Sequence, residues 1–592
     1  MERFRKDGPS LIHATSRLWG IFLEAVGDPA AGSVTVVLDA LDECAETELI
    51  DLIRNVESQF DGNKSEPGKL KYVMTCRPYY QVLSRFRGLL AACPSIHIPG
   101  KEESEAISKE VNYVIKHRVS QLSLNDKLKQ YVEERLQEIP HRTYLWVYLV
   151  FDYLENEVLK KTLKVIKSKI ATLPKSVNEA CEHILNKTKD DQMVRKVLSI
   201  IMVASRPLTP TEMNVAVNVD FDARSIEDLD LEDIDEFEKS LRFRCGLFVS
   251  IFKGRIYLLH QTAREFLLAD LSPPTIILSQ KLWHRSITTQ YAHAVLAEAC
   301  VLFLNLFESY NGRMKSYKKP PIDADNETAF TLYAATSWGS HFRQADFQDD
   351  ARIIPFALHL CDQTSKAYSF WTRLVKLDDG EFNHRSRNSL LGFTDLMIAS
   401  HYGLGNFAKT FLDQGSEIEG VSRSYGVCSP LSLAIEGGHE SVVELLLNAG
   451  ADPSADTGDL LVPLLMTTGP KDESIMNMLL DAGADINATG YPYGESALLQ
   501  AADAGWDNVI KLLLDRGADP LQQNSKVRDI PLERAVTKGH ALCVKLLLEK
   551  MEEIDTQAEY NQRRKETYRL AITCKQQDVV NMLIGIGIKM ET

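Results

Sequence analysis

Two short apolar runs separated by a helical stretch open the regularly patterned part of the chain. The first run is Val34–Leu38 and the second begins at Leu70. Each is almost continuously apolar, as in strands that are buried on both faces. Between them, residues 46–60 carry apolar side chains at helical spacing. This order predicts a parallel β-α-β unit whose sheet is covered on both faces.

Helical periodicity dominates the chain from residue 101 to residue 389. Residues 101–190 predict a helical domain. Residues 191–275 follow the order helix, turn, helix, acidic stretch and two short β-like runs joined by Lys253-Gly254. That order is typical of a winged-helix domain, so we predict one there. Residues 276–389 predict further helices, which we assign to a helical linker domain.

The last part of the chain, residues 390–592, repeats at a longer period. Its anchoring leucines recur every 33 to 38 residues, and three of the segments end in Gly-Ala-Asp at Gly450, Gly483 and Gly517. This period is that of ankyrin repeats, in which stacked helix pairs share one core. We predict about six repeats, with the third and sixth irregular, in an α-solenoid that binds a protein ligand. The alternative is an unrelated helical array.

Composition excludes several classes of protein. The 592 residues are 44% hydrophobic and 25% charged, as in ordinary globular proteins. A formal net charge of −15 argues against a nucleic-acid surface, which needs clustered Lys and Arg. The ten cysteines are scattered without a C-x-x-C pair. Together with the lack of a signal peptide or membrane-span pattern, this predicts a cytoplasmic protein that binds neither nucleic acid nor membrane.

Acidic residues follow the first apolar run and suggest a site that binds Mg²⁺ and activates water. In nucleotide-hydrolysing switches of this layout, the first acid after such a strand holds Mg²⁺ and a later acid polarises water. Asp39 is therefore the candidate Mg²⁺ residue, and Asp42 and Glu43 are candidates for the catalytic role. Arg77, after the second strand, would sense the γ-phosphate. The alternative is a strand that meets a helix N-terminus, where acids are favoured by the helix dipole.

A phosphate-binding loop does not accompany these acids. The motif G-x-x-x-x-G-K-[ST] supplies the backbone amides and the lysine that hold a nucleotide. The nearest imitations, at Gly62 and Gly68, follow the strand and lack the glycine spacing. We therefore expect Asp42 and Glu43 to be vestigial.

Four short segments together resemble one family. They are Val-Val-Leu-Asp-Ala-Leu-Asp-Glu-Cys at 36–44, Thr-Cys-Arg-Pro at 75–78, Ser-Arg-Pro-Leu-Thr at 205–209 and His-Gln-Thr-Ala-Arg-Glu-Phe-Leu at 260–267. In this order they are similar to the NACHT class of signal-transducing (STAND) NTPases, with a nephrocystin-3-like core and the ankyrin tail of fungal NOD-like receptors. The resemblance implies a multidomain α/β plus α protein: a partial P-loop NTPase sheet (residues 1–100), helical domain, winged helix, helical linker and ankyrin α-solenoid.

The resemblance also implies ligands. Complete members bind ATP or ADP with Mg²⁺, and their winged-helix histidine, which matches His260 here, contacts the β-phosphate of ADP. Because the phosphate loop is missing, we expect Met1 to be an internal start of an N-terminally truncated copy, with no cofactor bound by this chain.

These observations lead to two hypotheses about function. The first is a signalling or scaffold protein, not an enzyme, whose ankyrin repeats bind a protein ligand and whose nucleotide switch is incomplete; such a protein could also self-associate. The second is an ATP-dependent STAND switch whose phosphate loop lies upstream of this sequence. By resemblance, the setting would be fungal incompatibility signalling.

Overall fold

The computed structural model forms two compact units. The first comprises residues 1–194, 238–288 and 380–384, and the second comprises residues 195–237, 289–379 and 385–592. The residues that the structure describes are 15–28, 31–41, 44, 46–57, 70–76, 86, 104–139, 143–157, 167–168, 170, 173–174, 176–186, 191–269, 283–308, 330–378, 390, 392–420, 428–454, 463–467, 473–490, 494–523 and 529–586.

The first unit begins with a small parallel sheet. Strand β1 (Val34–Leu38) pairs with β2 (Leu70–Met74) in a register that sets Val34 opposite Leu70 and Leu38 opposite Met74. The helices around it are α1 (Thr15–Gly27) and α2 (Glu46–Glu57). The predicted parallel β-α-β unit is therefore confirmed.

The prediction that both faces of this sheet are buried is wrong for the described residues. Burial alternates along both strands, and Val37 and Val73 are 64% and 49% exposed. The side chains of the opposite face join a core cluster with α2, which contributes Leu49, Ile53 and Val56. One face of the sheet is thus packed, and the other, which carries Thr35, Val37, Lys71 and Val73, is exposed.

Three helices follow the sheet and share their own core. They are α3 (Ser104–Gln121), α4 (Asp126–Glu138) and α5 (Tyr144–Glu157). Asn125 caps α4 by accepting a hydrogen bond from the amide of Leu128. Within the core, the indole of Trp146 donates to the carbonyl of Pro174 at 2.9 Å, so the largest buried side chain of α5 also satisfies its polar atom.

The winged-helix region contains five more helices and a hairpin. They are α6 (Val177–Leu185), α7 (Asp191–Val203), α8 (Pro210–Asn218), α9 (Ile234–Cys245), β3 (Val249–Phe252), β4 (Arg255–Leu258) and α10 (Gln261–Leu267). The strands β3 and β4 are antiparallel. Lys253 and Gly254, the predicted joint, both have positive φ angles of 48° and 69°, as a tight hairpin turn requires.

Four helices precede the repeats within the second unit. They are α11 (Thr289–Asn305), α12 (Thr331–Ala345), α13 (Ile354–Cys361) and α14 (Lys366–Asp378). The segment Thr289–Glu308 is long and apolar enough to cross a membrane by length and composition alone, but 72% of its most apolar window is buried in the protein. It therefore has the character of a core helix.

The ankyrin array completes the second unit with paired helices. Within the described residues there are six pairs: α15 (Asp395–Tyr402) with α16 (Gly405–Asp413), α17 (Pro430–Glu436) with α18 (Glu440–Asn448), α19 (Pro463–Met466) with α20 (Glu473–Asp481), α21 (Ala497–Ala504) with α22 (Asp507–Asp515), α23 (Pro531–Lys538) with α24 (Ala541–Ile554), and α25 (Gln557–Thr573) with α26 (Gln577–Gly585). We number these pairs as repeats 1 to 6.

The irregular repeats lie where the sequence departs from its period. Helix α19 of repeat 3 has four residues, whereas α25 of repeat 6 has 17. The Gly-Ala-Asp glycines, Gly450, Gly483 and Gly517, have φ angles of 97°, 94° and 94°. These are left-handed conformations that glycine adopts without a Cβ penalty, and each follows the second helix of its repeat.

Candidate functional site

The carboxyl edge of the parallel sheet carries the predicted Mg²⁺ residue. Asp39 directly follows β1 and is exposed. The backbone on either side is held to the next strand, because the amide of Thr75 donates to the carbonyl of Leu38 and the amide of Leu41 donates to the carbonyl of Thr75, both at 2.9 Å. Between these bonds, Ala40 has a φ of 54°, which is unusual for a residue with a side chain.

Thr75 is the partner that sequence reasoning missed at this edge. Its hydroxyl donates to Oδ1 of Asp39 and accepts from the amide of Ala40, the latter at 2.8 Å. A signal for it existed, since Leu38 pairs with Met74 and the residues that follow the two strands, Asp39 and Thr75, must therefore meet. The edge is thus a hydrogen-bonded clasp between the two strand ends.

The other predicted residues of this edge cannot be placed beside Asp39. Asp42, Glu43 and Arg77 lie outside the described residues. Their roles as water-polarising acids and as a γ-phosphate sensor therefore stay predictions.

His260 lies at the start of α10 and caps it. Its Nδ1 accepts a hydrogen bond from the amide of Thr262 at 3.0 Å, so Nδ1 is occupied and Nε2 is the nitrogen left to face a ligand. The side chain is exposed. In the described part of the chain, no hydrogen bond or ion pair joins His260 to Asp39, and its contact with ADP stays a prediction.

The described residues supply only part of what a Mg²⁺-nucleotide site requires. They offer one carboxylate at the strand edge, and one oxygen of that carboxylate already accepts the Thr75 hydroxyl. Elsewhere in the described ranges, no group of three His, Cys, Asp or Glu side chains is arranged to hold a metal ion. Since the 592-residue sequence also lacks the phosphate-loop motif, the residues placed here do not by themselves fit the nucleotide, and we derive no chemical step from it.

The ankyrin array presents the second candidate site, a surface rather than a pocket. Each helix pair buries its apolar positions against neighbouring pairs, as Leu446 in α18 and Leu547 in α24 illustrate, both with 0% exposure. Successive repeats are also joined by polar contacts. Nε2 of His439 donates to the carbonyl of His401, and Nε2 of His540 donates to that of Asp503, both at 3.0 Å. The exposed helix faces remain as the binding surface that this fold offers.

The sequence of the array contains three aromatic residues that suggest contacts with a partner, Trp506, Tyr491 and Tyr493. Trp506 immediately precedes α22 and is half-buried, so part of its ring contributes to packing. Tyr491 and Tyr493 lie outside the described residues.

The first three repeats carry exposed acidic residues with only three Lys and Arg in residues 393–489 to balance them. Among the described residues of repeats 1 to 3, the exposed acids are Asp413, Glu417, Glu419, Glu436, Glu440, Glu444, Asp452, Glu473, Asp481 and Asp485. Asp481 pairs with Arg516 of repeat 4 at 2.7 Å. The charge of the chain is therefore concentrated on a surface that the array leaves open.

Comparison with known families agrees with this architecture. Family models match residues 428–458 as an ankyrin repeat and residues 465–560 as three ankyrin copies. The model of the winged helix domain of GPI inositol-deacylase matches residues 181–276, and a domain of unknown function, DUF7069, matches residues 107–172. The chain is thus a mostly helical, multidomain ankyrin-repeat protein with a winged-helix region.

A curated relative extends this description. The vegetative incompatibility protein HET-E-1 of Podospora anserina is 26% identical to this chain over 261 residues, which is 43% of the chain and 18% of HET-E-1. The match spans less than a fifth of that protein. The chain is therefore a distant relative of a fungal incompatibility protein.

Proposed function

We propose that this chain is a cytoplasmic signalling scaffold of the NACHT-ankyrin type that binds a protein ligand through repeats 1 to 6. The observation that carries the proposal is the array itself. Six helix pairs bury their apolar faces against one another and leave continuous polar faces exposed, which is the form of a protein-binding solenoid. The distant similarity to an incompatibility protein supports a role in fungal incompatibility signalling. Among the described residues no two cysteines form a disulfide, which suits a reducing compartment.

The proposal includes an incomplete nucleotide switch that does not hydrolyse ATP. Within the 592 residues no phosphate-loop motif accompanies the strand-end acid. Asp39 instead accepts a hydrogen bond from Thr75, which gives it a structural role that needs no metal. The described sheet edge is consistent with a clasp that persists without nucleotide.

An ATP-dependent STAND switch is the second candidate. One observation favours it: Asp39 is exposed at the carboxyl end of a parallel strand, where such switches place their Mg²⁺ residue. In that case the phosphate loop would come from residues beyond this sequence or from another chain.

Capture of partners from a fungal extract tests the ankyrin role. The bait is the full chain, compared with Leu446→Asp, which places a charge in the core of repeat 2, and with Leu136→Asp, which does the same in the α3–α5 core. We expect a specific protein to be captured by the full chain and by Leu136→Asp but not by Leu446→Asp. Capture that survives Leu446→Asp would contradict binding through the array.

Thermal unfolding with nucleotide separates the two candidates. The scaffold proposal expects no stabilisation by ATP with Mg²⁺, since a ligand stabilises only the state that binds it. An increase in melting temperature that disappears in Asp39→Ala and remains in the matched surface variant Glu440→Ala would instead support the switch.

A further inference from the structure

Helix α12 contacts the turn Ser205–Thr209 on one side. The hydroxyl of Tyr333 accepts a hydrogen bond from the amide of Ser205 at 3.0 Å, and the hydroxyls of Ser205 and Ser337 are 3.3 Å apart. The guanidinium of Arg206 lies 5.1 Å from the centre of the Tyr333 ring, within range of a cation-π contact. We call this segment the 205–209 turn.

The 205–209 turn is itself fixed to helix α8. Arg206 binds both carboxylate oxygens of Glu212, at 2.6 and 2.8 Å, and Glu212 is only 6% exposed. Thr209 and Glu212 also cap α8 reciprocally. Because a paired, buried carboxylate is costly to separate from its partner, the turn and the start of α8 move as one piece.

The opposite side of α12 contacts repeats 1 and 2. The rings of Trp338 and Tyr402 are 5.2 Å apart, as are those of Phe342 and Phe407. The guanidinium of Arg343 donates to Nδ1 of His439 at 2.9 Å. Aromatic packing to repeat 1 is thus combined with a polar contact to repeat 2.

Gly339 shows how closely α12 approaches repeat 1. A Cβ atom at this position would lie 2.2 Å from the ring of Tyr402, far inside any normal contact. The helix and the ring are therefore as close as glycine permits. A displacement of Tyr402 toward the helix has no free space to absorb it.

A chain of hydrogen bonds holds the Tyr333 side chain in one position within the core. Tyr333 is 2.9 Å from Nε2 of His341, whose Nδ1 is 2.9 Å from Nδ1 of His293. Since the Tyr333 oxygen accepts from Ser205, its hydroxyl can donate to His341, and His341 can then donate to His293. All three side chains are buried, so this order is fixed by packing as well as by hydrogen bonding.

We propose that α12 couples repeats 1 and 2 to the 205–209 turn. A protein that displaces Tyr402 or His439 on binding the array shifts α12, and this shift breaks or tightens the contact between Tyr333 and Ser205. The coupling is a property of the chain alone, and only its trigger rests on the proposed protein-binding function. It is reciprocal, because a free-energy coupling acts equally in both directions.

Hydrogen exchange of the full chain tests the coupling without any partner. In Gly339→Ala the new methyl group must push Tyr402 or the helix aside. We expect exchange in peptides spanning residues 203–212 to become about tenfold faster, as loss of the Ser205 hydrogen bond implies. The matched control is Gly405→Ala in repeat 1, where the added Cβ meets only the Ser441 hydroxyl at 3.8 Å, an ordinary contact. It should leave residues 203–212 unchanged.

Two further variants keep the test decisive. Arg343→Met removes the contact with His439 without adding bulk, and it replaces Gly339→Ala should that variant fail to fold. Tyr333→Phe acts from the other side and should speed exchange in residues 395–402. Faster exchange in α15 of Gly339→Ala with no change at residues 203–212 would overturn the proposal. Unchanged exchange at both places would also overturn it, because α12 would then have room for a methyl group beside Tyr402. None of these outcomes depends on whether a partner is captured.

Discussion

The two halves of the ankyrin array share a core but differ in surface charge. Residues 393–489, which hold repeats 1 to 3, contain 14 Asp and Glu against three Lys and Arg. Residues 490–586, which hold repeats 4 to 6, contain 14 against 13. The same helix-pair geometry therefore forms on a strongly acidic surface and on a balanced one. Apolar burial, not surface charge, determines the array.

One equivalent position makes the contrast concrete. The backbone carbonyls of His401 in repeat 1 and Asp503 in repeat 4 each accept a hydrogen bond from the imidazole of a histidine in the next repeat. The Asp503 side chain pairs with Arg534 at 3.1 Å and with Lys538 at 3.3 Å. The His401 side chain instead packs against the ring of Tyr402. Basic residues of the second half form ion pairs with several of its acids, whereas the first half has few Lys and Arg to pair with its acids.

The largest expected loss of stability comes from truncating a core leucine, and it tests whether the two halves of the array have equally stable cores. Leu446→Ala in repeat 2 and Leu547→Ala in repeat 5 each remove a fully buried side chain. Each should lower the free energy of unfolding by about 2–5 kcal/mol through lost burial and a residual cavity. Urea unfolding followed by circular dichroism measures this for each variant of the full chain.

The matched control for this pair is Leu542→Ala, since Leu542 is 53% exposed and should change stability little. A large loss for Leu547→Ala with almost none for Leu446→Ala would show that the acidic half has a weaker core. The two halves of the array would then differ in core stability as well as in surface charge.

Much of this array could be predicted from sequence because its signal is local. Anchoring leucines mark the repeats in the sequence, and three repeats also end in a Gly-Ala-Asp whose glycine has a φ angle of about 95°, at Gly450, Gly483 and Gly517. The small sheet was harder. Its apolar pattern gave the strands correctly, but Val37 and Val73 are exposed although their sequence is that of a buried strand. Polar Thr35 and Lys71 lie on the same exposed face as these valines, so the alternation of polar and apolar positions was the signal that the nearly continuous apolar run obscured.

The candidate site at the sheet edge was only partly predictable for a similar reason. Asp39 could be found from the acids that follow an apolar strand. Thr75 stands in the Thr-Cys-Arg-Pro segment, but its contact with Asp39 depends on the register of two strands 36 residues apart, which that segment does not report. The contacts of Tyr333 with the 205–209 turn span still larger separations, 128 residues for the Ser205 amide, and they emerge only when helices are packed in space.

Acid should destabilise the first half through its buried imidazole. Burial, aided by nearby His439, lowers the pKa of His401 to about 4 from an ordinary value of about 6.5. Between these values the unfolded chain binds more protons than the folded one. The contribution of His401 is therefore complete above about pH 6.5 and is lost as the pH falls toward 4, by on the order of 2 kcal/mol at about pH 5.

The variant His401→Gln checks this assignment. Its urea-unfolding free energy should depend less steeply on pH between about 5 and 7 than that of the unchanged chain, whatever its stability at neutral pH. His117→Gln, at an exposed histidine of α3, controls for the change of residue type at another position of the chain. An unchanged slope in His401→Gln would mean that the imidazole is equally easy to protonate in the folded state.

A smaller effect is expected from the ion pairs of the second half. Arg534 lies within 3.9 Å of three carboxylates, those of Glu495, Asp503 and Asp529, and its side chain is 20% exposed. Arg534→Met should cost about 1–2 kcal/mol, because partly buried acids lose their partner. Lys409→Met in the acidic half, at an exposed position, should change the free energy of unfolding by no more than about 0.5 kcal/mol. Equal losses in the two variants would remove the electrostatic difference between the halves.

Salt should produce the smallest effect, and its sign should differ between the halves. Raising NaCl from about 0.05 M to about 0.5 M shortens the range of surface electrostatics to a few ångströms. Repulsion among the exposed acids of repeats 1 to 3 then weakens and stabilises that half, whereas the attractive pairs around Arg534 and Asp503 weaken and destabilise the other. Both changes should be below about 1 kcal/mol, as is usual for exposed charges. Hydrogen exchange in peptides of α18 and α24, measured on one sample at the two salt concentrations, compares the halves directly. Slower exchange in α18 together with faster exchange in α24 is the expected result. A parallel shift in both helices would mean that salt acts on the shared apolar core, and the contrast in charge would then have no consequence for stability.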